Sequence, residues 1–291
     1  MIIVRLRGGL GNQMFQYAAG RRLAIHNKTN LKLDMSWLKV AQQHENVDFR
    51  QYALDAFMIK GSLANSIDLA RIYMPPYTRK KHLYRTLMGS IQPFYEPEDG
   101  SFQPGLLTAP KNSYLEGNWL NEKYFNDQAT IIRNDFRFNK PLGHKANMLK
   151  TEIYNSEAVS VHIRRGDYVT NKIAEQRLGI LPLDYYKNAA DFIEKKINKP
   201  AFFVFSDDIE WCKKHLNLGS PTFYSDHQNK NWEDMWLMSL CKHNIIANSS
   251  FSWWGGWLND SPDKIIVAPK KWFKEASIDS SGLLLDEWVK L

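Results

Sequence analysis

Three polar clusters in the second half of the chain carry residue types suited to a single anionic ligand. The string HIRRGD at 162–167 supplies His162, Arg164, Arg165 and Asp167. Guanidinium groups are planar forks that hold phosphate oxygens in bidentate geometry. SDD at 206–208 supplies Asp207 and Asp208, carboxylates able to accept hydrogen bonds from a ribose, or from the ring N–H and amino group that distinguish guanine from adenine. NSSFS at 248–252 supplies the hydroxyls of Ser249, Ser250 and Ser252 and the ring of Phe251. Its backbone N–H groups precede a helix beginning near Trp253, and a helix N-terminus favours a phosphate. Read singly, each cluster has a plainer meaning: arginine after a strand commonly makes a surface ion pair, and Asp-Asp or Ser before a helix commonly caps it. His162 reads equally as a hydrogen-bonded core imidazole or as a ligand contact. Read together, the clusters describe a site for a nucleoside diphosphate.

What unites them is the elements they follow. From Ala158 onward short apolar runs alternate with amphipathic stretches, the pattern of a parallel sheet with crossover helices. Strands are expected at 158–163, 201–205, 222–224, 244–247 and 264–267, with helices at 184–197 (Asp184 capping) and 232–242. The three clusters then follow the first, second and fourth strands, where open parallel sheets bind ligands. The first half opens alike: a strand at 2–6, a glycine-bearing turn, a helix from Asn12 to about His26 and a strand at 31–34. Residues 36–112 are less regular, and a strand at 114–116 and a helix at about 121–136 follow. The segment 140–156, with few large apolar residues, reads as a connection. Two α/β domains are expected, 1–150 and 151–291.

Composition narrows the classes. A chain of 291 residues, 44% hydrophobic and 24% charged, is an ordinary globular sequence with length for two cores. Cys212 and Cys241 lie in separate segments without metal-ligand spacing, so neither a zinc site nor a disulfide scaffold is supported, and free thiols in a reducing cytoplasm fit best. The opening MIIVRLRGGLGNQ is too short in apolar run for a signal peptide or anchor. Net charge +7 calls for an anionic partner: nucleic acid, a phosphorylated substrate or an acidic membrane face.

At the clustered residues the sequence resembles the alpha-1,2-fucosyltransferase family (glycosyltransferase family 11) and, more distantly, the alpha-1,6- and protein O-fucosyltransferases. The family's His-x-Arg-Arg-x-Asp pattern stands as His162, Arg164, Arg165 and Asp167. Its N-terminal Gly-x-Gly-Asn-Gln turn stands as Gly9, Gly11, Asn12 and Gln13, and its late Ser-Ser-Phe motif as NSSFSWWGGWL. The resemblance implies an α/β fold of the GT-B type, two Rossmann-like domains facing across a cleft. GDP-fucose would be held mainly by the second domain and an oligosaccharide or lipid-linked glycan acceptor, commonly a terminal galactose, would lie against the first. It also implies that Arg164 contacts the pyrophosphate, that His162 and the late serines and Phe251 help hold the nucleotide, and that Asn12, with Gln13, faces the cleft.

The chemistry expected is inverting transfer without a cofactor. Breaking the bond from fucose C1 to the β-phosphate oxygen leaves negative charge that must be stabilised in the transition state. The sequence has no D-x-D pair, so Arg164 rather than Mg²⁺ is assigned that charge, with Arg165 and Asp167 as further catalytic residues. Asp167 and Glu175 are the carboxylates considered for a base, though an Asp after two arginines serves equally to orient them. Two rivals stand beside this reading. RLRGGLGNQM with Asp34 partly imitates a dinucleotide-binding fingerprint, but Met14 occupies the third glycine position. The basic run TRKKHLYR at 78–85 suggests a nucleic-acid or anionic-surface binding protein. The transferase reading expects no nucleic acid, a cytoplasmic location, and at most peripheral contact of the basic run with the inner face of a membrane.

Overall fold

A computed structural model describes residues 1–41, 51–73, 89–225 and 230–291, with backbone alone at 40, 41 and 167. The chain divides into two compact units, Met1–Asn139 and Lys140–Leu291.

In the first unit, β1 (Ile2–Arg5), α1 (Leu10–His26) and β2 (Leu31–Asp34) form the opening βαβ. α2 (Ser36–Ala41), β3 (Ser62–Leu63), α3 (Ser66–Tyr73), β4 (Gln92–Tyr95), β5 (Ser113–Glu116) and α4 (Ala129–Asp135) complete it. The sheet order is β3-β2-β1-β5-β4, every described pairing being parallel. Twelve of the 17 residues of α1 are buried, so the helix shows no amphipathic stripe and its close approach to the sheet decides its position. A Cβ at Gly20 would lie 2.1 Å from Val4 Cγ2; the close-packing glycine is there, not at Met14.

Two expectations are corrected in this half, and the rival reading of Asp34 loses its ground. The helix expected over 121–136 is broken into two 3₁₀ turns, Glu122–Tyr124 and Asn126–Gln128, before α4, because Phe125 leaves helical geometry with φ −148° to reach Phe15 (ring centroids 6.1 Å apart). Strands β3 and β4 lie in the stretch where no element was read; both are short, and every residue of each but Phe94 is exposed, so no apolar alternation marks them. Asp34, which imitated a ribose-binding carboxylate, is fully buried and accepts hydrogen bonds from Tyr73 Oη, Tyr114 Oη (both 2.8 Å) and Ser36 N.

The second unit begins at Lys140, eleven residues before the start expected at 151. Its first element, α5 (His144–Tyr154), is the supposed connection. This helix belongs to the unit because Glu233 accepts the Gly143 N–H at 2.7 Å and Lys150 lies 5.5 Å over the Trp236 ring. Then follow β6 (Glu157–Ile163), α6 (Gly166–Thr170), α7 (Lys172–Leu178), α8 (Leu183–Glu194), β7 (Pro200–Ser206), α9 (Ile209–His215), β8 (Thr222–Tyr224), α10 (Asn231–Leu240), β9 (His243–Ile245), α11 (Ser250–Leu258), β10 (Ile266–Ala268) and β11 (Val289–Lys290). Pro182 rather than Asp184 occupies the N-cap of α8. The sheet is parallel in every described pairing, in the order β11-β10-β9-β6-β7-β8. Valines, isoleucines and phenylalanines of β6 and β7 are buried on both faces, as a helix-covered parallel sheet requires.

Candidate active site

In the second sheet the chain runs outward from β6 through β7 to β8, then returns to place β9 on the other side of β6. The strand order therefore reverses between β6 and β9, and such a switch point opens a crevice at the carboxyl ends. HIRRGD leaves β6 and NSSFS leaves β9, so the two clusters flank that crevice. SDD leaves β7, the neighbour on the far side of β6. The His162 and Phe251 rings lie 5.3 Å apart, and Tyr168 Oη donates to the Asn248 carbonyl at 3.0 Å, tying the β6 loop to the β9 loop.

The two arginines diverge although they are adjacent. Arg164 Nη1 pairs with Asp207 Oδ2 at 2.7 Å, both side chains keeping about a quarter of their exposure (22% and 26%), and its guanidinium carbon stands 5.5 Å from the Tyr168 ring centroid. Arg165 packs flat on Trp211, 3.7 Å from the ring centroid, while its Nε donates to Asp208 Oδ2 at 3.1 Å. Asp207 Oδ1 also accepts the Arg165 backbone N–H at 2.9 Å, and Asp208 Oδ1 caps α9 through Trp211 N. A Cβ at Gly166 would fall 2.4 Å from Asp207 Oδ2, so the glycine is what lets this carboxylate reach both arginines. Each aspartate thus serves an arginine, an arrangement that orients guanidinium forks in advance of a ligand.

In NSSFS the four candidate side chains separate likewise. Ser249 is the N-cap of α11, its Oγ accepting the Phe251 N–H. Ser252 is fully buried and its Oγ is engaged with Ala247 N, Ala247 O and Ser249 O, so its hydroxyl holds the loop. Ser250 and Phe251 are the partly exposed members, at the first turn of a helix with no acidic residue there. Asn248, unmarked by sequence reasoning, braces the loop by donating to Leu178 O, Gly179 O and Trp272 O. Tyr168 and Trp211 were equally missed. The tyrosine's place directly after HIRRGD was the one available signal.

His162 is 4% exposed and its Nδ1 has no hydrogen-bond partner among the described residues. Burial, with the Arg164 charge second, pushes its pKa down to about 3 from 6.5, so the imidazole is neutral at working pH and too weak a base to take a proton from a hydroxyl. Between those two values the unfolded chain binds a proton at this residue that the folded chain refuses. Its contribution to stability is therefore complete above pH 6.5 and is lost progressively as pH falls toward the folded value. Lowering the pH from 6.5 to 5 is expected to cost about 2 kcal/mol through this residue alone, and urea unfolding of His162→Gln should show a correspondingly shallower pH slope. Parallel slopes would remove the assignment.

The side chain of Asp167 lies outside the described residues. Glu175, the other carboxylate considered for a base, is on α7 and paired with Lys274 at 2.5 Å. In the first unit Asn12 is partly exposed on the first turn of α1, under Gly8, which has φ +73°. Gln13 is fully buried and spans Gly8 O, Gln51 O and Ala53 N with its amide, and so fastens the turn. Among the described residues no three His, Cys, Asp or Glu side chains are grouped as metal ligands.

Residues 100–291 match the family model described as glycosyl transferase family 11. The alpha-1,2-colitosyltransferase of Escherichia coli is 36% identical over 297 residues, covering 100% of this chain and 99% of that protein. Galactoside alpha-(1,2)-fucosyltransferase 1 of Homo sapiens is 34% identical over 105 residues, 34% of this chain and 28% of that protein. In fold, the chain is similar to the fucosyltransferase NodZ from Bradyrhizobium, with a TM-score of 0.51 at 16% identity, covering 87% of this chain and 90% of that one.

Proposed function

From the premise that this chain belongs to glycosyl transferase family 11, we propose that it transfers L-fucose from GDP-fucose to O-2 of a terminal galactose, with inversion and without a metal ion. The observation that carries the reading is the pair Arg164–Asp207 at the switch point of the second sheet. A guanidinium held in place by a carboxylate, beside the first turn of α11, is a donor array for a pyrophosphate.

In this reaction the acceptor hydroxyl oxygen attacks fucose C1 from the face opposite the leaving group. The bond from C1 to the β-phosphate oxygen breaks, its electron pair stays on GDP, and the hydroxyl proton passes to a base. Attack from the opposite face turns a β-linked donor into an α-linked product. Arg164 meets the charge that grows on the β-phosphate, and because Asp207 already orients it, little reorganisation is needed as the bond breaks. Arg165, committed to Trp211 and Asp208, acts by positioning the loop rather than by touching phosphate. Phe251, Ser250 and neutral His162 line the nucleotide side. Asp207 and Asp208 each retain lone pairs for a ribose or guanine contact beside their arginine bonds. The basic run at 78–85, on which peripheral membrane contact or nucleic-acid binding would rest, lies outside the described residues. Among those described no helix is long and apolar enough to cross a membrane.

The test offers GDP-fucose, GDP-colitose, GDP-mannose and UDP-galactose with lactose as acceptor, in excess chelator. Transfer from GDP-fucose is expected to persist, with an α-linked product by NMR and none from GDP-mannose or UDP-galactose. Preference for the colitosyl donor would move the donor assignment to the sugar named for the E. coli relative. Reversible loss on chelation would replace the arginine-only account.

A further inference from the structure

The first unit has a switch point of its own. Its chain runs from β1 through β2 to β3 on one side and then crosses to β4 and β5, so the order reverses between β1 and β5. The segments leaving those strands there are Leu6–Arg7–Gly8 and Gly117–Asn118–Trp119.

These segments are held in a particular geometry by one residue from a third strand end, Glu96. Its Oε2 accepts the Asn118 N–H at 2.7 Å and its Oε1 the Trp119 N–H at 2.6 Å. A Cβ at Gly117 would lie 2.4 Å from Glu96 Cβ, so only glycine admits the clamp. Trp119 is held at φ +57°, a conformation that is strained for a bulky side chain and persists only where the surroundings enforce it. The indole is fully buried and its Nε1 has no partner among the described residues. What this loop holds toward the β1 segment is Asn118, whose Oδ1 accepts Arg7 Nε at 3.2 Å. The Arg7 peptide is itself bracketed by Gln16, which accepts its N–H and donates to its carbonyl. The Arg7 guanidinium keeps about a third of its exposure (34%), and its charge is balanced by Glu96 at 3.7 Å. Its terminal nitrogens make no short hydrogen bond with a described residue.

A charge-balanced pair of planar donors, partly exposed at a strand switch, suits a neutral polyhydroxyl ligand better than a phosphate: it offers N–H groups to hydroxyl and ring oxygens but little net field. Resting on the transferase reading above, we infer that Arg7 and Asn118 bind the acceptor's terminal hexopyranoside and that Glu96 is the positioning residue that sets both.

The experiment measures binding of methyl β-galactoside and lactose to the full chain in the presence of GDP by ligand-observed NMR, with fucose transfer and GDP-fucose hydrolysis followed in parallel. Arg7→Ala should weaken galactoside binding and raise the acceptor KM about 10- to 100-fold, the scale of hydrogen bonds to a charged group. GDP-fucose KM and hydrolysis should stay within about twofold. Deoxygenated galactosides that lose affinity for the wild type should lose none further for Arg7→Ala, a coupling that a structural role would not produce. Glu96→Gln should raise the acceptor KM less than Arg7→Ala without moving the donor KM. Should Arg7→Ala unfold, Arg7→Lys replaces it, keeping charge while losing the fork. Galactoside affinity unchanged in these variants, absence of galactoside binding to the wild type, or an effect confined to the donor overturns the inference. If galactoside binds and depends on Arg7 while GDP-fucose is not consumed, the site stands and the fucose reading falls.

Discussion

Replacing Arg164 by alanine is expected to lower kcat about 10²- to 10³-fold, the loss found when a preorganised donor to a developing anion is removed. The stability cost should be small, because Arg164 and Asp207 are partly exposed (22% and 26%) and exposed ion pairs contribute about 0–1 kcal/mol. Rate and stability therefore separate in this variant. Arg164→Lys keeps the charge but not the bidentate fork and should fall between wild type and alanine. Arg165→Ala should show the reverse balance, since it removes a cation 3.7 Å from the Trp211 ring centroid and the side-chain bond to Asp208, while the backbone bond to Asp207 stays. Turnover by Arg164→Ala within about tenfold of wild type, measured at saturating GDP-fucose with near-native melting, would take the leaving-group charge away from this residue.

Trp253→Ala is expected to destabilise the second unit by about 3–5 kcal/mol, a large part of the 5–15 kcal/mol that holds an ordinary domain folded. Trp253 is fully buried, with Trp254, Trp257 and Trp288 at ring-centroid distances of 5.0, 6.1 and 5.6 Å. Its Nε1 donates to the Leu283 carbonyl at 2.9 Å, tying α11 to the C-terminal segment. Truncation removes the ring and orphans that carbonyl together. Trp253→Phe keeps most of the packing and should cost less, about 1–3 kcal/mol for the unsatisfied acceptor. The measurement is the urea midpoint followed by tryptophan fluorescence; a loss under about 1 kcal/mol for the alanine variant would show that the site can collapse around the void. This cluster is also why NSSFSWWGGW is long. Its first residues shape the loop at the switch point, and its tryptophans root that loop in the core.

Much of this was legible in the residues. β-Branched and aromatic runs bounded by turn residues located β6 and β7 to within a residue at each end, because strands buried on both faces read as continuous apolar runs; the half-buried edge strand β8 was located by its Thr-Phe-Tyr run alone. β3 and β4 were not legible, since short exposed strands carry no such run. α5 was missed because only two of its residues, Ala146 and Ile153, are buried. Lys150 and Trp236 tie it to its unit, and a cation over an aromatic ring leaves no period in hydrophobicity.

At the sites, residue type and order determined that polar groups follow β6, β7 and β9, and hence that they share one sheet edge. They did not determine which group points outward. Arg164 and Arg165 are identical in type and adjacent in sequence, yet one pairs with Asp207 and the other lies on Trp211. Among the serines, Ser250 is partly exposed and Ser252 is consumed by backbone. Gln13 is buried as a fastener one position from the partly exposed Asn12. Local chemistry sets what a side chain can bond to, but the partner that captures it comes from another strand end or helix. That choice is made only when the sheet order brings distant segments within hydrogen-bond reach.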